Sequence, residues 1–401
     1  MKNNNIPKLR YPEFTDAWEK CKLGEVAGKT YGGGTPSTSI EHFWNGNIAW
    51  IQSSDLKLDE IFPVVAKKFI SKPALEKSAT KLIPSNSIAI VTRVGVGKLA
   101  VMSDSYATSQ DFISLSNIKG DIFFIAYSLY LILKKESNQT QGTSIKGITK
   151  AELLTKMLFL PTLPEQQKIG TFFRRLDRLI TLHKRKWEDV ILLKKALLQK
   201  MFPKNGSDFP ALRFPEFTDA WEKCKLGEVL NVTSVKRIHQ SDWRNEGIRF
   251  LRARDLVSEL KGEKNTDLLY ISEEKYNEYS KISGKVEYGD LLVTGVGTIG
   301  VPYLVKNQEK IYFKDGNIIW FQNHNKIDGN FLFFSFMSPS IKSFINATAG
   351  VGTVGTYTIE SGKKTPISLP TLPEQQKIGA LFRRLDQLIT LHKREWIKSP
   401  L

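Results

Sequence analysis

The eleven residues 160–170, LPTLPEQQKIG, return without one change at residues 369–379. The similarity continues, because LPTLPEQQKIGTFFRRLDRLITLHKRKW at 160–187 is repeated as LPTLPEQQKIGALFRRLDQLITLHKREW at 369–396. The two copies lie about 200 residues apart, whereas the units of a solenoid have about 20–50 residues. The stretch therefore predicts a duplicated pair of domains.

A second repeat opens each half of the chain. RYPEFTDAWEKCKLGEV at 10–26 returns as RFPEFTDAWEKCKLGEV at 213–229. Between these frames the halves diverge, and the fainter similarities are rich in Val, Ile, Phe and Thr broken by Gly, Asn and Asp, which predicts short strands and turns. A shared frame with different contents indicates two different recognised features. The fainter pairs are 48–57 with 248–257, 87–102 with 290–305, and 107–116 with 312–321.

After Pro164, residues 165–202 predict one long helix, because no further proline follows and apolar residues recur at spacings of three and four. A helix of about 38 residues is about 57 Å long. Its repeat copy, which begins near Glu374, is the expected partner; in the alternative interpretation, the helix lies across its own domain. The apolar seam consists of Ile169, Phe172, Leu176, Leu179, His183, Trp187, Val190, Leu193 and Leu197.

Composition favours a globular protein that binds a polyanion. The 401 residues allow two domains, and 41% are hydrophobic and 25% charged. The net charge of +17 suits nucleic acid, although a basic surface without a ligand is the alternative. No apolar run reaches the roughly 18 residues of a membrane span. The start shows no signal peptide, and the two cysteines lack metal-ligand spacing, so we expect a cytoplasmic protein with no membrane contact.

Several motifs resemble catalytic sites but lack the required context. GVGTIG at 295–300 and GVGTVG at 350–355 fit a dinucleotide-binding pattern, yet no helix is predicted after either, so both predict glycine turns beside strands. GEVAGKT at 24–30 is one residue too short for a phosphate-binding loop. His183 and His392 are repeat partners and make no metal site alone. The sequence therefore predicts neither catalytic nor metal-binding residues.

The layout resembles the specificity subunit of type I restriction-modification systems. The resemblance covers nearly the whole chain and rests on YGGGTPSTSIEHFWNGNIAWIQSSDLK at 31–57, on LPTLPEQQKIG before a long helix, and on the duplication. It implies an α+β fold with two pseudo-symmetric mixed α/β target-recognition domains separated by two long antiparallel helices, a coiled-coil spacer. The implied recognition domains are 1–158 and 204–368, and the helical spacers are 159–203 and 369–401.

The resemblance also implies a non-catalytic subunit that recognises an asymmetric bipartite sequence in double-stranded DNA. Adenine methylation and cleavage then belong to partners: modification subunits, two of them expected, with S-adenosylmethionine, and restriction subunits with ATP and Mg²⁺. No cofactor is expected on this chain. The expected spacer and docking residues are Ile169, Phe172, Leu176, Leu179, Trp187, Ile378, Leu381, Leu385, Leu388 and Trp396.

The second helix has fewer residues after Trp396 than the first has after Trp187. In an antiparallel pair, the end of the first helix meets the start of the second, so we expect one set of seam residues to be covered and another to be exposed. Expected to be covered are Val190, Leu193 and Leu197, by Ile378, Leu381 and Leu385; expected to be exposed are Ile169, Phe172 and Leu176.

Candidate DNA-contacting residues lie in or beside the turns that differ between the halves. Base edges are read by Arg, Lys, Asn and Gln, with help from hydroxyl groups. Arg252 and Arg254 belong to LRARDL, which replaces IQSSDL of the first half; a structural arginine paired with Asp255 is the competing interpretation. The candidates are Ser53, Ser54, Arg93, Lys98, Gln110 and Lys146, and Arg252, Arg254, Thr298, Lys314, Asn317 and Tyr357.

Two other functional classes remain open at this stage. An autonomous DNA-binding nuclease or methyltransferase is the first, and the lack of catalytic motifs counts against it. An RNA-binding or structural adaptor is the second, although no aromatic RNA-binding signature is present. Neighbouring genes for a methyltransferase and a helicase-nuclease would favour the specificity subunit.

Overall fold

A computed structural model of the chain describes residues 6–139, 147–204, 206–263, 265–349 and 355–397. These residues form two compact units. The first holds the residues up to Lys184 together with the helix end from Glu395, and the second holds Arg185–Arg394.

The first unit is built mainly from short strands and a few helices. Its strands are β1 (Glu19–Lys22), β2 (Ala27–Gly32), β3 (Ile48–Ile51), β4 (Lys68–Ile70), β5 (Ser87–Val91), β6 (Leu99–Met102), β7 (Ala107–Thr108), β8 (Phe112–Ile118) and β9 (Met157–Leu160). Its helices are α1 (Leu23–Val26), α2 (Lys72–Glu76), α3 (Ile122–Gln139) and α4 (Lys150–Leu154), with a 3₁₀ turn at Glu41–Phe43. The long helix α5 (Leu163–Lys200) begins in this unit.

Three small sheets organise the first unit. An antiparallel sheet has the order β2-β8-β5-β6, a mixed sheet the order β4-β3-β7, and β1 pairs with β9. Strand β5 is buried on both faces. Ile88 and Ile90 pack in one cluster with Phe124 and Ile125 of α3, whereas Ala89 and its alternate neighbours pack with residues around β3. The core therefore lies on both sides of the four-stranded sheet.

The second unit contains a further set of strands and helices. Its strands are β10 (Glu222–Lys225), β11 (Asn231–Thr233), β12 (Ile248–Leu251), β13 (Leu269–Ile271), β14 (Leu291–Thr294), β15 (Pro302–Leu304), β16 (Ile311–Phe313), β17 (Ile318–Gln322) and β18 (Pro366–Leu369). Its helices are α6 (Leu226–Val229), α7 (Ala253–Lys261), α8 (Glu273–Ser283), α9 (Gly329–Met337), α10 (Pro339–Thr348), α11 (Ile359–Lys364) and α12 (Leu372–Ile397), with a 3₁₀ turn at Gln240–Asp242.

The second unit repeats the sheet orders of the first. Its sheets run β11-β17-β14-β15, β13-β12-β16 and β10-β18. The faint sequence similarities mark equivalent strands: β3 matches β12, β5 and β6 match β14 and β15, and β7 and β8 match β16 and β17. The predicted α+β class with two pseudo-symmetric domains is therefore confirmed, even where the sequences diverge.

GVGTIG forms the turn between β14 and β15, as predicted, rather than the start of a helix. Gly297 and Gly300 both adopt φ of 74°, a conformation that favours glycine. Most of GVGTVG, residues 350–354, lies outside the described residues.

The start of α5 packs on its own unit, so the prediction that Ile169 is uncovered is wrong. Ile169 and Phe173 pack against the core around α3. The most buried residues of this helix are Glu165, Gln166, Gly170 and Asp177, and the Tyr127 hydroxyl donates to Asp177 Oδ2 at 2.5 Å. The buried face therefore combines polar residues with Ile169 and Phe173. The remaining candidates of this part vary in exposure: Phe172 is 48% and Leu179 52% exposed, and Leu176 is half-buried.

The end of α5 packs against α12 inside the second unit. Val190 and Leu197 join a core that contains Ile378, Leu385 and, at its margin, Leu381. Lys194 Nζ lies 2.5 Å from Asp386 Oδ1, whereas the Phe202 ring lies 5.9 Å from the Phe382 ring. These contacts advance along the two helices in opposite directions, so the predicted antiparallel packing is present here. Leu193 is 49% exposed, so the expectation that it is covered is wrong. Trp187 and Leu388 are half-buried, and the side chain of Trp396 lies outside the described residues.

A buried ion pair fixes the start of each long helix. The Arg10 guanidinium donates to both oxygens of Glu165, each at 2.7 Å, and the Glu165 side chain is fully buried. Arg213 donates in the same way to Glu374, each bond at 2.8 Å. The hydrogen bonds to Glu165 raise the pKa of Arg10. Because Arg10 and Arg213 open the other repeated stretch, each ion pair ties the two parts of the frame together.

A glutamine one position after each glutamate and a glycine five positions after it complete the packing of the helix start. The Gln166 side chain accepts from the Asp121 amide at 3.1 Å and donates to the Pro161 carbonyl at 2.8 Å. Asp121 Oδ1 also accepts from the Phe124 amide at 2.8 Å, which caps the start of α3. Gly170 lies so close that a Cβ would overlap the Asp121 carboxylate and approach the Phe124 amide nitrogen to 2.9 Å. The second copy repeats these contacts with Gln375, Asp328, Phe331 and Gly379.

This close approach predicts that Gly170→Ala destabilises the first unit. A helix interior ordinarily gains about 1 kcal/mol from this change, but overlap with the α3 cap should lower the free energy of unfolding by about 1–3 kcal/mol overall. Gly32→Ala is the control, because nothing lies within 4 Å of its added Cβ. Thermal unfolding of both variants is the measurement, and a Gly170→Ala chain as stable as the control would contradict this packing.

Candidate nucleic-acid interface

In the first unit, several loops meet at one end of the four-stranded sheet. The Thr92 amide donates to the Asp111 carbonyl at 2.8 Å, and the Ile148 amide donates to the Thr92 carbonyl at 2.8 Å. The Ser109 amide donates to the Ile51 carbonyl at 2.9 Å. These backbone bonds hold together the loops after β3, β5 and β7 and the loop before α4.

The predicted DNA-contacting residues of the first unit lie on these loops. Lys98 Nζ donates to the Ser53 carbonyl at 3.2 Å, and Gln110 accepts from the Thr35 hydroxyl. Arg93 is exposed and forms no ion pair with any described residue. The structure brings together the loops that carry Ser53, Ser54, Arg93, Lys98 and Gln110, and Lys146 lies outside the described residues.

The same backbone hydrogen bonds recur in the second unit. The Gly295 amide donates to the Asn317 carbonyl at 2.7 Å, and the Tyr357 amide donates to the Gly295 carbonyl at 2.8 Å. The Lys314 amide donates to the Leu251 carbonyl at 2.9 Å. The strand registers make each bond the equivalent of one in the first unit. The backbone of this edge is therefore shared, whereas its side chains differ.

The predicted residues of the second unit differ in their access to a ligand. Thr298 is exposed in the turn between β14 and β15, and the Arg254 side chain is 57% exposed. Lys314 and Asn317 are half-buried. Lys314 Nζ lies 5.7 Å from the centre of the Trp243 ring, a distance at which the ring attracts the cation.

Tyr357 does not belong to this surface, and the prediction that it contacts DNA is wrong. The side chain is 2% exposed, and its hydroxyl shares a hydrogen bond with the Thr365 hydroxyl at 2.5 Å. Burial raises the pKa of Tyr357. Its place in the backbone pattern is that of Ile148, which packs at the margin of the first core. The ring is therefore a core residue.

Arg252 is held within the protein. Its amide donates to Asp255 Oδ2 at 2.7 Å, and Nε and Nη2 donate to the same carboxylate at 3.1 and 3.2 Å. These bonds cap the start of α7, and the Arg252 side chain is only 14% exposed. The competing interpretation, a structural arginine paired with Asp255, therefore fits Arg252 better than DNA contact does.

Other residues at this edge carry little signal in the sequence. Asp267 contacts the guanidinium groups of Arg252 and Arg254. Partial loss of solvent acts to raise the pKa of Asp267, but the hydrogen bonds from these arginines hold it below its ordinary value. Arg237 Nε donates to Asp315 at 3.0 Å, beside the predicted Lys314 and Asn317. No spacing rule links such partners, so the sequence does not indicate them.

In the first unit, a run of glycines in the sequence does indicate a close contact between two loops at this edge. A Cβ at Gly33 would overlap the Ser109 carbonyl, and the Gly34 carbonyl accepts from Trp50 Nε1 at 3.0 Å. The run therefore places the loop with Thr35 against the loop that carries Gln110.

Other chemistries receive no support from the described part of the chain. No group of three or more His, Cys, Asp or Glu side chains among its residues is placed to hold a metal ion. Cys21 and Cys224 are unbridged, and burial raises the pKa of Cys224 to about 11, which disfavours a reactive thiolate. None of its helices is long and apolar enough to cross a membrane.

Both units have the same backbone arrangement at this edge of the four-stranded sheet, but the side chains on it differ. This combination defines a duplicated recognition protein. Residues 15–192 and 218–398 match the family described as type I restriction modification DNA specificity domain. Because these matches cover most of the chain, the protein belongs to that family.

Named relatives agree with this assignment. The MjaIX type I restriction enzyme specificity subunit of Methanocaldococcus jannaschii is 29% identical over 276 residues, which cover 64% of this chain and 61% of that protein. The match thus spans less than two thirds of that relative. The MjaVIII specificity subunit of the same organism is 24% identical and covers 98% of this chain and 92% of that protein. These names agree with the predicted family and with its specificity-subunit class.

A solved structure supports the fold. The crystal structure of the type I restriction-modification system S subunit from M. genitalium matches with a TM-score of 0.60 at 14% identity. The match covers 98% of this chain and 95% of that one. The two chains therefore share an architecture despite their distant sequences.

The geometry of this edge predicts different effects for Arg93 and Tyr357. Arg93→Ala should weaken binding to duplex DNA and reduce the slope of log affinity against log salt by about one unit, because one phosphate contact is lost. Tyr357→Phe should lower the unfolding temperature and leave DNA affinity unchanged, because the hydroxyl lies in the core. Binding titrations at several salt concentrations make the comparison. Equal salt slopes for Arg93→Ala and the unsubstituted chain would remove Arg93 from the interface.

Proposed function

We propose that this chain is the DNA specificity subunit of a type I restriction-modification complex. It binds a bipartite, asymmetric sequence in double-stranded DNA, and partner subunits carry out adenine methylation and DNA cleavage. The observation that carries the proposal is the repeated edge, where equivalent backbone hydrogen bonds present two different sets of side chains. One scaffold that carries two different recognition surfaces, one reader in each unit, suits a target with two unlike halves.

The side chains at equivalent positions support unlike half-sites. After β3 the first unit has Gln52, Ser53 and Ser54, whereas the second has Arg252 and Arg254 around an alanine. Arginine pairs bidentately with guanine, and hydroxyl groups contact several bases. The second reader therefore favours a guanine more strongly than the first. The net charge of +17 supplies the attraction to phosphates that any DNA reader needs.

The proposal gives partners the chemistry that this chain lacks. In this proposal modification subunits bind S-adenosylmethionine and restriction subunits bind ATP and Mg²⁺, whereas this chain serves recognition. We place the complex in the cytoplasm. Two modification subunits fit because the repeated frame exposes matched leucines: Leu163 and Leu372 are 49% and 45% exposed, and Leu182 and Leu391 are 45% and 49% exposed.

Exchange of one recognition domain tests whether each domain recognises its own half of the target. Replacing residues 31–158 with the matching domain of a relative should change one half of the methylated sequence, because each unit folds around its own core. The reciprocal exchange of residues 234–367 should change only the other half. Methylation mapping in cells that carry the partner subunits gives the result. A change in both halves of the methylated sequence after a single exchange would contradict the proposal.

The matched leucines predict the stoichiometry. Leu182→Lys and Leu391→Lys should each remove one modification subunit from the complex, and the double variant should remove both, because a charge disfavours an apolar interface. Leu131→Lys is the control, since Leu131 is 65% exposed on α3, outside the repeated frame. Native mass spectrometry counts the bound subunits. Full occupancy of the double variant contradicts docking at these leucines.

A further inference from the structure

Beside the end of β12, three arginines converge on two aspartates. Arg252 binds Asp255 through its amide and its guanidinium, and Arg249 Nη2 lies 3.7 Å from Asp255 Oδ1. Asp267 contacts Arg252 Nη1 at 3.3 Å and also the Arg254 guanidinium. The contacts form one chain, from Asp255 through Arg252 and Asp267 to Arg254.

Exposure separates the roles of these arginines. The side chains of Arg249 and Arg252 are 22% and 14% exposed, whereas that of Arg254 is 57% exposed. Arg249 also donates to the Leu269 carbonyl at 2.9 Å, so its guanidinium is bound to the scaffold. Among the described residues, Arg254 is bound only by Asp267, through Nη2. Nη2 of the Arg254 guanidinium is therefore held, while more than half of the side chain stays exposed to solvent.

Asp267 is itself fixed in place. Its amide donates to Asn265 Oδ1 at 3.2 Å, and its backbone carbonyl accepts from Arg252 Nη2. Asn265 in turn donates to Asp255. The Asp267 side chain is 62% exposed, but its backbone and its carboxylate both bind Arg252 at the capped start of α7. These contacts limit where the carboxylate can lie beside Arg254.

We propose that Asp267 is a positioning residue for base readout, which holds one edge of the Arg254 guanidinium so that the free edge pairs with a guanine in the major groove. The inference rests on the proposed function and gives each residue a separate role. Arg254 contacts the base, Asp267 orients the Arg254 guanidinium, and Arg252 holds Asp267 in place. A guanidinium presents its N–H groups in a rigid fork, so fixing one edge also fixes the direction of the other.

The first unit lacks the arginine that Asp267 orients in the second unit. Ser54 stands at the position of Arg254, and Gln52 stands at that of Arg252. Asp55 keeps the equivalent hydrogen bond, since the Gln52 amide donates to Asp55 Oδ2 at 3.0 Å, although a turn rather than a helix follows β3. The bond between aspartate and backbone is therefore common to both units, whereas the oriented arginine belongs to the second unit alone.

The test compares methylated sequences in cells that carry the partner subunits. Arg254→Ala should reduce discrimination at one base pair by about 5- to 150-fold, the range for loss of a bidentate contact. Asp267→Asn keeps the size of the side chain and should relax the same base pair to a smaller extent. The other positions of the target should stay unchanged in both variants. Glu216→Gln is the charge control, since Glu216 pairs with Lys377 in an exposed ion pair of the frame.

Each contrary result has a distinct meaning. If Asp267→Asn raises affinity for all sequences alike, Asp267 competes with phosphate for Arg254, and the positioning role is overturned. It is equally overturned if the two variants relax different base pairs, or if Asp267→Asn lowers the unfolding temperature while the methylated sequence is unchanged. Absence of any sequence-specific methylation by the unsubstituted chain with its partners would instead reject the proposed function.

Discussion

The architecture depends on a buried carboxylate in the first turn of each long helix. Glu165 accepts two hydrogen bonds from Arg10 while its side chain is fully buried, and Glu374 does the same with Arg213. A buried ion pair stabilises a fold only when both partners are present, because removal of one leaves an unpaired charge away from water. The pair therefore fixes where each helix leaves its sheet. That requirement explains why the two frames are nearly identical while the sequences between them are free to differ.

The divergent segments keep one topology because the contacts that define it do not depend on particular side chains. The bonds that gather the loops, such as those from Thr92 and Gly295, join backbone groups, which every residue except proline can supply. The central strand β5 needs apolar residues on both faces, as Ile88 and Ile90 show on one face and Ala89 and Val91 on the other. Many loop side chains can consequently differ without changing the fold, whereas Gly33 and Arg252 are held by local contacts. A protein built in this way can change what it recognises without changing how it folds.

Much of this architecture could be predicted from the sequence. The repeat gave the two domains, and the pattern after Pro164 gave a helix close to the observed α5. Hydrophobic spacing failed at the buried face of that helix, because Glu165, Gln166 and Asp177 are buried by partners far along the chain. The same limit applied to Tyr357, whose ring suited either a core or a DNA surface. Long-range pairing decides both cases, and one sequence carries no direct record of it.

The positive charge of the chain is therefore divided between two tasks. Arg10, Arg213 and Arg252 are mostly buried and are bound by carboxylates that compensate their charge, so they serve the fold and add little to any long-range attraction for DNA. Arg93 and Arg254 are exposed at the shared edge and remain able to exchange solvent for a base or a phosphate. Net charge thus fits the proposed binding to DNA, but only the acidic partners show which arginines are left exposed for it. In the proposed recognition, the placement of aspartate and glutamate therefore matters as much as that of the arginines themselves.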